Sequence, residues 1–136
     1  MEDADYAIVA IGSVCGTMKE AIDRLRAKGI KAGLLKVRVF RPFPGAEIAK
    51  ALKNCKSIAV MDRCESFSAV GGPLGAEVPA ALFQAKNTAE VIKIVYGLNG
   101  RDFTIEDAEK LYKDLADIAE NGNQSEEEYR YIGLRE

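Results

Sequence analysis

The stretch Tyr6-Ala7-Ile8-Val9-Ala10-Ile11-Gly12-Ser13-Val14-Cys15-Gly16-Thr17 decides the fold. Tyr6 to Ile11 is apolar and uncharged, Gly12 breaks the run, and a helical pattern follows. A short apolar run bounded by turn residues reads as a strand buried on both faces. It is expected to be a central strand of a parallel sheet, with Gly12 turning the chain off its carboxyl end.

Outward from this stretch the same unit repeats. Met18, Ile22 and Leu25 recur at helical spacing through Lys28, and Gly29 stops the helix. Ala32 to Phe40 is expected to be the second strand. Leu35, Val37 and Val39 face one way and Lys36 and Arg38 the other, which suits an edge. Arg41-Pro42-Phe43-Pro44-Gly45 is a rigid turn, and a helix with Ile48, Ala49 and Leu52 follows. Ser57 to Met61 is uncharged and expected to be central. Asp62 to Pro73 is a long strand-to-helix loop, and long loops in compact domains are usually functional or interfacial. The next helix carries Leu74, Val78, Ala81 and Leu82, with Pro79 expected to bend or divide it.

Glu90 to Tyr96 is the fourth strand, and Lys93 in its middle points to a second edge. Gly97 to Asp102 is a tight loop. Thr104 and Asp107 have capping-box spacing before a helix whose stripe is Ala108, Leu111, Tyr112, Leu115 and Ala119. Asn121-Gly122-Asn123 ends it. The tail is acidic but holds Tyr129, Tyr131, Ile132 and Leu134, so it is expected to dock on the domain or on a partner subunit. Alternating strands and helices predict a three-layer α/β/α domain over residues 1–120, with a mainly parallel sheet of order 2-1-3-4, and a tail over 121–136. Ligands in such sheets bind at the carboxyl ends, where the strand order reverses.

Composition narrows the function. The 136 residues are 48% hydrophobic with a net charge of -2, enough for one core and without the basic footprint of a nucleic-acid binder. No apolar run is long enough to span a membrane, and Asp3 and Asp5 argue against a signal peptide. A soluble, cytoplasmic protein is expected. Cys15, Cys55 and Cys64 are odd in number and lack metal-site spacing. Free thiols fit a reducing compartment. Cys55 reads as core, while Cys15 and Cys64 are expected in loops at strand ends. Histidine is absent, which removes the usual general base.

Several residues keep two readings. Gly12 to Thr17 either cradles a phosphate or makes a turn capped by Ser13 or Thr17. Gly71-Gly72-Pro73 either holds an anion with Arg63 nearby or is a glycine turn with proline opening a helix. Asp62 is either a catalytic carboxylate or a cap. Arg38, Arg41 and Arg63 form either a basic rim for a phosphate-bearing ligand or ion pairs toward another subunit.

Four stretches in order carry a family pattern. They are Ala4 to Ser13, Gly33 to Pro44, Val60-Met61-Asp62-Arg63 with Gly71-Gly72-Pro73-Leu74, and Tyr96 to Asp102. Together they resemble the C-terminal region of the alpha subunit of pyruvate:ferredoxin oxidoreductase and related 2-oxoacid:ferredoxin oxidoreductases, from about Ala4 to Arg135. The resemblance implies a transketolase C-terminal-type domain. It also implies that the family's antiparallel edge strand, which precedes the position of Tyr6, is missing, as in a fragment or split subunit. By resemblance the parent enzyme decarboxylates a 2-oxoacid on thiamine diphosphate with magnesium. It passes electrons through 4Fe-4S clusters to ferredoxin and makes an acyl-coenzyme A. Those cofactors are expected elsewhere in the complex, and no catalytic, cofactor or metal residue is carried over. The implied role is non-catalytic assembly with the beta, gamma and delta subunits and, indirectly, ferredoxin. Arg41, Pro42, Phe43, Asp62, Arg63, Gly71, Gly72 and Arg101 are expected on one rim that meets a neighbouring domain or binds an anion. Coenzyme A is one ligand for it. The competing reading is a stand-alone flavodoxin-like domain holding FMN or a nucleotide on Ser13 to Thr17.

Overall fold

The structure is a computed structural model that describes residues 1–134. Residues 135 and 136, the end of the expected tail, lie outside the described residues. Strands β1 (Tyr6–Ala10), β2 (Ala32–Lys36), β3 (Ser57–Asp62), β4 (Glu90–Tyr96) and β5 (Arg130–Ile132) alternate with helices α1 (Val14–Ala27), α2 (Gly45–Ala51), α3 (Pro73–Gln84) and α4 (Ile105–Asn121), and β5 closes the series. The sheet is parallel throughout with order β2-β1-β3-β4-β5. Helices α1 and α4 pack together over one face, and α2 and α3 over the other.

The period of two along each strand explains both cores. Ile8, Ala10, Ala59, Met61, Ile92 and Ile94 point toward α1 and α4. Ala7, Val9, Ile58 and Val60 point toward α2 and α3. β1 and β3 therefore have no polar face to offer water. Two buried hydroxyls tie α4 to the sheet: Ser57 donates to the Leu115 carbonyl at 2.7 Å and Tyr112 to the Gly33 carbonyl at 2.7 Å. The Thr104–Asp107 capping box is formed in both directions.

Several expectations change. The first strand stops at Ala10, and Ile11 is exposed. The second stops at Lys36, short of Phe40, because its neighbour ends: Ala10 pairs with Lys36, and only the Val37 amide reaches back to the Ala10 carbonyl. Val39 is consequently exposed. Helix α1 begins at Val14, ahead of Met18, which puts Cys15 in its first turn and buries it. Pro79 does not divide α3, which runs unbroken from Pro73 to Gln84. In α4, Ile118 is buried where the expected stripe had Ala119.

The fourth strand is not an edge. β5 pairs with it, Ile94 to Arg130 through Tyr96 to Ile132. Lys93 misled because its charge does not lie where its Cα does. Its methylenes pack by Gly71 and Gly75, and its ammonium donates to the Val70 carbonyl at 3.3 Å. A long stem buried under a solvated head is how lysine occupies an inner strand.

Candidate functional site

Parallel strands send every strand-to-helix loop to one end of the sheet. Gly12–Ser13, the stretch 37–44, the loop 63–72 and the turn 97–104 all leave carboxyl ends there. The eight rim residues named from the sequence thus lie on loops or strand ends at the same end of the domain. They divide into three groups with different tasks.

Arg41 belongs to the α3 side. Its guanidinium stacks 4.2 Å over Phe40 and pairs with Glu77 at 2.6 Å, while Phe40 and Phe43 meet edge to face at 5.7 Å. Arg41 is exposed and Glu77 half-buried, so the pair orients the turn more than it stabilises the fold.

Asp62, Gly71 and Gly72 form the second group. The Asp62 carboxylate is buried and accepts hydrogen bonds from the Leu74 amide at 3.0 Å and the Gly75 amide at 2.8 Å. The anion at this helix start is thus the chain's own carboxylate, and the amides are spent on it. Gly72 makes the approach possible, since a Cβ there would overlap the Asp62 side chain. Gly71 turns with φ +87. Burial pushes the Asp62 carboxyl above its usual range, partly offset by the two amides.

Arg63 and Arg101 form the third group, in a cleft of about 250 Å³ lined also by Ser13, Thr17, Tyr96 and Asp102. Arg63 lies 6.0 Å from the Tyr96 ring centroid, and its Nε packs so near Gly97 that a Cβ there would meet it at 3.1 Å. Arg101 donates to the Gly133 carbonyl. The structure therefore joins Arg63 to Arg101, not to Arg38 and Arg41. Tyr96 and Asp102 went unnoticed as lining residues, although both lie where the turn leaves a sheet-interior strand. Neither Ser13 nor Thr17 caps α1 through its side chain. The Cys15 amide bonds the Gly12 carbonyl and the Gly16 amide the Ser13 carbonyl, so the loop offers a flavin phosphate fewer free donors than its glycines suggested.

The profile described as pyruvate:ferredoxin oxidoreductase core domain II matches residues 4–108. The chain belongs to this family. It is 43% identical over 136 residues to pyruvate synthase subunit PorA of Thermotoga maritima, covering 100% of this chain and 33% of that one. It is 40% identical over 127 residues to ketoisovalerate oxidoreductase subunit VorA of Pyrococcus horikoshii, covering 93% of this chain and 32% of that one. The chain thus spans about a third of the length of these relatives. Among solved structures, the 2-oxoglutarate:ferredoxin oxidoreductase from Magnetococcus marinus, with 2-oxoglutarate, coenzyme A and succinyl-CoA bound, superposes with a TM-score of 0.63 at 25% identity, over 82% of this chain and 18% of that one. A split-gene transketolase in an inactive tetramer has the same fold, with a TM-score of 0.67 at 18% identity over 86% of this chain and 40% of that one.

Proposed function

We propose that this core domain II chain is a non-catalytic assembly domain of the alpha subunit of a 2-oxoacid:ferredoxin oxidoreductase, with pyruvate the first-choice substrate. The whole complex would oxidise the 2-oxoacid to an acyl-coenzyme A and reduce ferredoxin. Thiamine diphosphate, magnesium and 4Fe-4S clusters would be held by its other parts. The domain's partners in this reading are the remaining alpha domains and the beta, gamma and delta subunits, in the cytoplasm.

The observation that carries the reading is Phe67. It stands on the long loop 63–72 with its side chain fully exposed, and Val70 on the same loop is exposed too. An aromatic ring held in water forgoes roughly 1.5–3 kcal/mol of burial, so it suits a surface that another chain covers. The test is Phe67→Ser, expressed with the other parts of the oxidoreductase. The variant domain is expected to melt as the wild type does but to co-purify poorly, with 2-oxoacid oxidation lost in proportion. Unaltered assembly would refute the rim as the interface.

Coenzyme A is bound in the Magnetococcus structure. Its phosphates would suit the arginine cleft of this chain once a neighbouring domain borders it.

A further inference from the structure

Two guanidinium groups from different loops open into one small cleft, and among the described residues neither is paired with a carboxylate. Among the described residues Arg24 pairs with Glu20, Arg26 with Asp3 and Arg41 with Glu77, whereas Arg38, Arg63, Arg101 and Arg130 have no ion pair, and of these four only Arg63 and Arg101 line one cleft. Like charges side by side are unfavourable unless something anionic joins them. Asp102 lines the same cleft without an ion pair among the described residues, so two cations face one anion. Ser13 and Thr17, each with a hydroxyl, also line it.

We propose that this cleft binds the phosphate group of a small ligand. Guanidinium forks match phosphate oxygens two at a time, and hydroxyls supply the remaining donors. A volume of about 250 Å³ holds a phosphate with a modest substituent. The exposed Arg63 side chain runs past the bare backbone of Gly97, with its guanidinium 6.0 Å from the Tyr96 ring centroid. Arg101 is steadied by the Gly133 carbonyl, just past β5, so the docked tail also orients the site. The α1 amides are not the basis of the site, since those of Cys15 and Gly16 are already bonded. The site also lies where the strand order reverses, between loops that follow β1, β3 and β4.

This inference deepens the coenzyme A suggestion for the same cleft but does not rest on the assembly role, because it is tested on the chain alone. The test is an NMR titration of the labelled chain with inorganic phosphate and, separately, with adenosine monophosphate, at constant ionic strength against chloride. Saturable shifts are expected at Ser13, Thr17, Arg63 and Gly97 to Phe103. Arg63→Gln and Arg101→Gln are each expected to weaken binding about tenfold or more, and Arg63→Lys by less. Tighter binding of the nucleotide would identify a phosphate carried on a larger molecule, and equal or weaker binding the free ion. Non-saturating shifts, or saturation unchanged in Arg63→Gln, would overturn the proposal. Arg63 makes no hydrogen bond or ion pair among the described residues, so that variant is expected to fold.

Discussion

Gly72 and Asp62 are coupled by contact. The carboxylate can reach the Leu74 and Gly75 amides only because residue 72 has no side chain in the way. Two hydrogen bonds fix the Asp62 side chain, so it cannot step aside for a methyl group. Gly72→Ala is therefore expected to destabilise the domain by about 1–3 kcal/mol in urea denaturation, the usual range for overpacking. The reason is the collision and not backbone strain, since Gly72 has φ -91. Asp62 also sets a pH dependence. Its folded pKa is raised by burial, so the folded state takes up its proton more readily than the unfolded chain. The stabilisation from this group is complete below the unfolded value and is lost as pH rises through the folded one. Asp62→Asn removes that falling contribution. Stability measured from acid to neutral pH should rise more steeply in the variant than in the wild type.

At the scale of elements, β5 matters beyond its three residues. It covers the outer side of β4 along Ile94, Val95 and Tyr96, which are otherwise buried. An uncovered inner strand would present unpaired amides and carbonyls beside apolar side chains, a template for association with another chain. The tail is held by side chains too: the Tyr131 hydroxyl donates to Glu65 on the long loop, and Arg130 donates to Asn123 at 2.5 Å. Truncation after Gly122 is therefore expected to lower the melting temperature and to produce concentration-dependent oligomers by light scattering. A truncated chain that stays monomeric with unchanged melting would show that β5 is dispensable.

At the scale of the whole molecule, the proposed assembly role draws on two features. Both sheet faces are covered by helix pairs, and the loops at one end carry exposed Phe67 and Val70 together with the arginine cleft. Among the described residues no cluster of three or more histidine, cysteine, aspartate or glutamate side chains is placed to hold a metal, and no helix is long and apolar enough to cross a membrane. On the assembly reading, the isolated chain supplied with pyruvate, coenzyme A, thiamine diphosphate and a viologen acceptor is expected to reduce no viologen. The complex that contains it is expected to do so. Turnover by the chain alone would refute the reading.

The apolar runs Tyr6 to Ala10 and Ser57 to Met61 determined a central parallel pair by themselves, because an uncharged strand cannot face water on either side. Most of the helical stripes and the capping box were legible because each depends on local spacing, and the order of the first four strands because the two uncharged ones sit between the two that carry charges. The fifth strand was not, since Arg130–Ile132 is too short to signal itself and becomes a strand only beside β4. Lys93 pointed the wrong way because its identity does not reveal where its ammonium emerges. The partners of the arginines lay beyond local pattern as well. Arg41 finds Glu77, 36 positions on, while Arg63 and Arg101 share a cleft across different loops. Those choices depend on which loops the sheet order brings together, and only the packed chain decides that.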